Sequence, residues 1–173
     1  MTSLHELPTF AEAGIFYVVV ESPKGAAIKL KYQPDLNAMT ISRPLAIGLR
    51  YPCDWGFVPS TKGEDGDPID AALWWDVATF PGVVVRCRAL GVIQVEQNSA
   101  GRKDRVRNDR ILALPIEARR EADLTSAMKL PQRVRDELEH FFIATTALEG
   151  KEPVILGWGT PEEALKLLRS SSL

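Results

Sequence analysis

The sequence predicts an α+β fold that is mainly β: a barrel or sandwich of short strands, with two helices packed outside it. Two observations carry this. Between residues 15 and 114, β-branched and aromatic runs recur at short intervals, separated by Pro, Gly, Asn and Asp, which is the spacing of an all-β unit. From residue 131 onward the apolar pattern changes to a helical period and helix-start signals appear. With 173 residues, 45% of them hydrophobic, the chain has material for one core and not comfortably for two, so one domain over residues 1–173 is expected.

In order along the chain, residues 15–21 (Ile-Phe-Tyr-Val-Val-Val-Glu) read as a strand that ends on an acid. Residues 28–32 and 38–43 alternate apolar with polar at period two, and Pro34 to Asn37 connects them as a hairpin. Residues 51–59 are aromatic but broken by Pro52, Gly56 and Pro59, which predicts an irregular strand. Apolar runs at 69–75, 83–88, 90–95 and 110–114 give four further strands, with a polar loop at 97–109. The long helix is placed with Pro131 at its first position, and Val134, Leu138, Phe141, Thr145 and Leu148 share its apolar face. Gly150 is its stop signal. Residues 154–158 return one strand, and Thr160-Pro161-Glu162-Glu163 is a capping box that opens a second helix through Leu168.

Composition narrows the function. A net charge of -2 gives no bulk attraction for nucleic acid or an anionic membrane, so any basic site must be local. No apolar run approaches a membrane span and residues 1–13 lack a signal-peptide pattern, so a cytoplasmic protein is expected. Cys53 and Cys87 are too few for a disulfide framework or a zinc site.

The chemistry concentrates in Glu64-Asp65-Gly66-Asp67-Pro68-Ile69-Asp70, where four carboxylates crowd into seven residues. Gly66 and Pro68 forbid a regular helix there. Carboxylates this close repel unless a cation lies between them, and all-oxygen donors favour Mg²⁺ or Mn²⁺. A calcium loop starting at Asp65 is excluded, because Ile69 and Asp70 stand where an acid or amide and a glycine are required. A solvated acidic turn is the alternative. Lys29 and Lys31 point to one side of their strand, with Arg43 and Glu21 at neighbouring strand ends. Such charges bind phosphate or protect sheet edges. The arginine-rich loop 101–110 lacks aromatics for stacking bases.

Taken in order, Tyr17-Val-Val-Val-Glu21, Ile28-Lys29, Arg43, Tyr51-Pro-Cys53, Trp55-Gly56, Asp65-Gly-Asp67-Pro-Ile-Asp70, Pro81-Gly82 and Arg86-Cys-Arg88 resemble the soluble family I inorganic pyrophosphatases, from about Tyr17 to Trp158. The resemblance implies a small closed β-barrel of OB type with two flanking C-terminal helices. It implies Mg²⁺-dependent hydrolysis of pyrophosphate to two phosphates (Mn²⁺ being the other candidate cation) and a homo-oligomer, usually a hexamer. By position, Asp65 and Asp70 match metal ligands and Asp67 matches the group that accepts a proton from the attacking water. Lys29 and Arg43 match phosphate-binding residues, and Glu21 and Tyr51 complete the polar pocket. The chain departs from the family pattern at Lys31 (usually Glu), Trp55 (Tyr), Gln97 and Asn108 (Asp), Arg110 (Lys) and Thr145-Thr146 (Tyr-Lys). These losses leave open a scaffold that binds phosphate or a phosphorylated metabolite with little turnover. An OB-type nucleic-acid module is the third reading.

Overall fold

The computed structural model describes residues 3–173. Its strands are β1 (Phe10–Glu12), β2 (Ile15–Ser22), β3 (Ile28–Gln33), β4 (Ala38–Pro44), β5 (Asp54–Phe57), β6 (Asp70–Leu73), β7 (Val84–Gln97), β8 (Val106–Arg107), β9 (Arg110–Pro115) and β10 (Val154–Gly159). Two helices, α1 (Gln132–Thr146) and α2 (Pro161–Ser171), flank β10 in the sequence. Five strands close on themselves: β2 pairs β5, β5 pairs β6, β6 pairs β9, β9 pairs β7, and β7 returns to β2. Only the β6–β9 contact in this ring is parallel. The expected closed barrel is therefore present, with β1, β8 and β10 added at its margins and β3–β4 as a separate hairpin.

Alternation along the strands divides the apolar residues between two faces. Phe16, Val18 and Val20 of β2 join Ala71, Leu73, Val85, Cys87, Ile111 and Ala113 in one buried cluster that Ala164 and Leu168 of α2 complete. Trp55, Ala72, Leu112 and Leu114 face the other way, against Leu138, Phe141 and Phe142 of α1. Burying each of these larger side chains contributes about 1.5–3 kcal/mol. Gly56 is required where β5 meets β2, since a Cβ there would lie 1.8 Å from the carbonyl oxygen of Val19.

Two elements differ from the sequence reading, β7 and α1. Residues 83–88 and 90–95 are one 14-residue strand, β7. Its register slips between Ala89 and Gly91, so the strand bends rather than ends. Pro131 caps α1 without a side-chain hydrogen bond instead of occupying its first turn. The helix stops at Thr146, which leaves Leu148 outside it and exposed. The capping box of α2 forms as expected: Glu163 N donates to Thr160 Oγ1 at 3.2 Å and Thr160 N to Glu163 Oε2 at 2.6 Å. Among the described residues no helix is long and apolar enough to cross a membrane.

Candidate active site

The acidic loop is held at both ends before it presents its carboxylates. Thr61 Oγ1 donates to Val58 O and accepts from Ile69 N, which pins the start of the loop to its end. Gly66 adopts φ +89°, a turn conformation that suits glycine, and Gly63 N donates to Asp67 O at 2.8 Å. Within the turn, Asp67 N donates to Asp65 Oδ1 at 3.1 Å. Asp70 begins β6, and the parallel register sets it beside Arg110 of β9. Sheet pairing is thus the reason a carboxylate and a guanidinium meet here, with Arg110 Nε 3.9 Å from Asp70 Oδ2.

One cleft gathers Glu21, Lys29, Lys31, Asp65, Asp67 and Asp70. A second cavity shares Lys29, Asp70 and Arg110 with it and adds Arg43 and Tyr51. All seven residues singled out from the sequence therefore line one contiguous space. Lys29 and Arg43 face each other as register partners in the β3–β4 hairpin. Arg43 also reaches the end of α1, donating from Nη2 to Thr145 O at 2.5 Å and lying 3.6 Å from Glu149. The guanidinium thereby satisfies a carbonyl that the helix leaves unpaired.

Burial sets the charge states. It pushes the Glu21 carboxyl up to about 7, against the hydrogen bond that Tyr32 N donates to Glu21 Oε1 at 2.7 Å. The Tyr51 hydroxyl is driven to about 12 by burial, so it remains a neutral donor across the physiological range. Burial also lowers Lys29, with Lys151 and Arg43 adding to the effect and Asp70 opposing it. Asp65 is raised first by burial and then by the charges of Asp70 and Asp67. Asp67 is well exposed and paired with Lys31 at 3.3 Å.

The departures from the family pattern fall in different places. Trp55 packs among Tyr51, Phe141 and Phe142 at ring distances of 5.0–5.9 Å. Asn108 and Thr146 line the cleft. Gln97, by contrast, is 1% exposed, is not among the residues lining the cleft, and its Oε1 has no partner. Sequence reasoning missed two cleft residues, His5 and Lys151. His5 had no second histidine to mark it, and only its edge-on packing against Tyr32 and Phe57 brings it near. Lys151 lies beyond the helix in an unpatterned loop.

The family model described as inorganic pyrophosphatase matches residues 18–172. The inorganic pyrophosphatase of Thermus thermophilus is 33% identical over 174 residues, covering 98% of this chain and 96% of the relative. That of Synechocystis is 32% identical, covering 95% and 94%. The crystal structure of the Thermus thermophilus inorganic pyrophosphatase superposes with a TM-score of 0.90 at 32% identity, covering 98% of this chain and 97% of that one. An inorganic pyrophosphatase structure from Coxiella burnetii gives 0.85 at 32% identity, with 95% and 97% covered.

Proposed function

Because the chain belongs to the inorganic pyrophosphatase family, we propose that it hydrolyses inorganic pyrophosphate to two phosphates with the help of a hard divalent cation. The observation that carries this reading is the meeting of Asp65, Asp67 and Asp70 with Lys29 and Lys31 in one cleft. The donors fit Mg²⁺, or Mn²⁺ in its place. Asp65 and Asp70 are oxygen donors whose mutual repulsion a cation would relieve. Among the described residues no group of three acidic, His or Cys side chains converges to form a closed cage. Two carboxylates with water and substrate oxygens completing the shell is the usual way Mg²⁺ is held. A cation bound there would supply Lewis acidity toward water and toward the phosphoryl oxygens.

The chain's own residues do the rest. Lys29 and Arg43 hold the two phosphate groups, and Tyr51 donates a neutral hydrogen bond beside them. The water oxygen bonds to one phosphorus, and the bridging P–O bond breaks with its electron pair leaving on the other phosphate. Asp67 takes the proton the water gives up, its carboxylate oriented by Lys31. The chain is read as one domain over residues 1–173, working in the cytoplasm as a homo-oligomer, a hexamer by family resemblance.

The test is phosphate release from pyrophosphate by the purified protein with Mg²⁺ and with Mn²⁺. Asp67→Asn is expected to keep its circular dichroism and metal binding and to lose most of the release. A variant with near-parental turnover removes Asp67 from the proton-accepting role. A parent that binds pyrophosphate yet releases no phosphate with either metal makes the chain a scaffold.

A further inference from the structure

The residues ahead of the barrel form a strap that reaches the cleft. Ser3 opens a single turn, Leu4–Glu6, and its hydroxyl accepts from His5 N. Leu4 and Leu7 pack on Val19, Tyr32 and Phe57, a small buried cluster apart from the two main ones. Polar contacts fix the strap on both sides. Leu4 N donates to Tyr32 Oη at 3.1 Å, His5 O accepts from Ser60 N at 2.8 Å, and Leu7 O accepts from Ser60 Oγ at 2.8 Å. Thr9 Oγ1 donates to Pro59 O at 2.9 Å. Ser60 itself sits at φ +50°, a conformation uncommon for a residue with a side chain. The strap is thus tied to β3 on one side and, on the other, to the segment that leads into the acidic loop.

His5 is the strap residue that lines the cleft. Its ring stands edge-on to Tyr32 and Phe57, with centroids 5.1 and 4.7 Å away. An apolar ring would meet those packing demands equally well. The imidazole adds an N–H, and among the described residues neither ring nitrogen has a hydrogen-bond partner or is sealed from solvent. His5 shares this end of the cleft with Lys31 and Asp67, whose charges both act on it. Burial first, and then Lys31, disfavour the imidazolium, with Asp67 opposing them. At neutral pH the ring therefore meets the substrate as an uncharged donor. A phosphate that turns its phosphorus toward a water beside Asp67 lies at this same end, and its oxygens are acceptors for that donor.

We propose that His5 is a further substrate-binding residue, its imidazole donating to an oxygen of the phosphate that lies beside Asp67. This rests on the cleft being the pyrophosphate site. Two variants separate a donor from a packing role. His5→Phe keeps a ring on Tyr32 and Phe57 without the donor, and His5→Gln keeps a neutral N–H without the ring. Steady-state phosphate release and calorimetric titration of imidodiphosphate, a slowly hydrolysed diphosphate analogue, are measured for each with saturating Mg²⁺. His5→Phe is expected to raise KM and the imidodiphosphate Kd about tenfold, as for loss of a hydrogen bond to a charged group, with kcat within about twofold of the parent. His5→Gln is expected to recover most of that loss. Parental KM and Kd in His5→Phe, or equal losses in the two variants, overturn the proposal. A parent that binds imidodiphosphate and releases no phosphate ends the hydrolase reading alone, and the Kd of His5→Phe still decides for or against His5. A parent that does not bind it overturns both.

Discussion

Glu21→Gln is expected to stabilise the metal-free chain at neutral pH and to flatten its pH dependence. Glu21 is buried, and its carboxyl is raised from the ordinary 4.5 to about 7, chiefly by that burial. Below about pH 4.5 both folded and unfolded chains carry it protonated and it contributes no pH dependence. Between 4.5 and 7 the unfolded chain has released the proton while the folded chain still holds it, so stability falls as pH rises. Above 7 the folded protein carries a buried carboxylate and the full cost is present. The gap from 4.5 to about 7 corresponds to about 3 kcal/mol. Glutamine keeps an oxygen to accept from Tyr32 N and has no proton to lose. Urea unfolding of parent and variant in chelator, at intervals from pH 4 to 8, measures the difference. The variant's advantage is expected to grow by about 3 kcal/mol across that window. A difference that stays constant with pH would refute the burial argument for Glu21.

Asn108→Asp adds a carboxylate to the cleft and is expected to lower the Mg²⁺ concentration for half-maximal phosphate release several-fold, whereas Gln97→Asp leaves it unchanged because Gln97 lies outside the cleft lining. A metal titration of both variants checks the contrast. Asp65→Asn is expected to abolish phosphate release and to reduce Mn²⁺ binding measured by electron paramagnetic resonance. Thr160→Ala removes the capping hydrogen bond of α2 and is expected to cost about 1 kcal/mol in urea unfolding. Light scattering at micromolar concentration is expected to give a homo-oligomer, and a monomer alone would remove the hexamer from the reading.

The strands were legible because strand signals in this chain are local. The alternation in 28–32 and 38–43, and the β-branched run of 15–21, coincide with β3, β4 and β2. What was not legible depends on pairing across the chain. Gly91 looks like punctuation in one dimension, yet β7 continues through it because β9 and β2 hold both halves. Leu148 fits a helical period, but α1 ends before it, and Arg43 takes the Thr145 carbonyl that the helix end leaves free. The acidic loop and its lysines were readable as a set, since their order along the chain is specific. Lys151 was not, because nothing in its neighbours marks a loop lysine that reaches back toward residue 29. Gln97 shows the opposite limit: it aligns with a family acid, yet the fold buries it away from the cleft.

The long reach of β7 also governs when, during synthesis, the molecule can become itself. β2 is made early and finds β5 within about forty residues, but its other edge waits for β7, and the ring is complete only when β9 slides between β6 and β7. Without β9 the ring cannot close: the pairings of β7, β2, β5 and β6 alone make an open sheet with two unpaired edges. Joining segments so far apart carries a loop-closure cost before any reward. The charged cleft inherits this order. Asp70 is translated long before Arg110, and the pair exists only once the parallel β6–β9 contact has formed. The acidic loop meets its guanidinium only through β9, so the pairing that closes the barrel also completes the charged cleft.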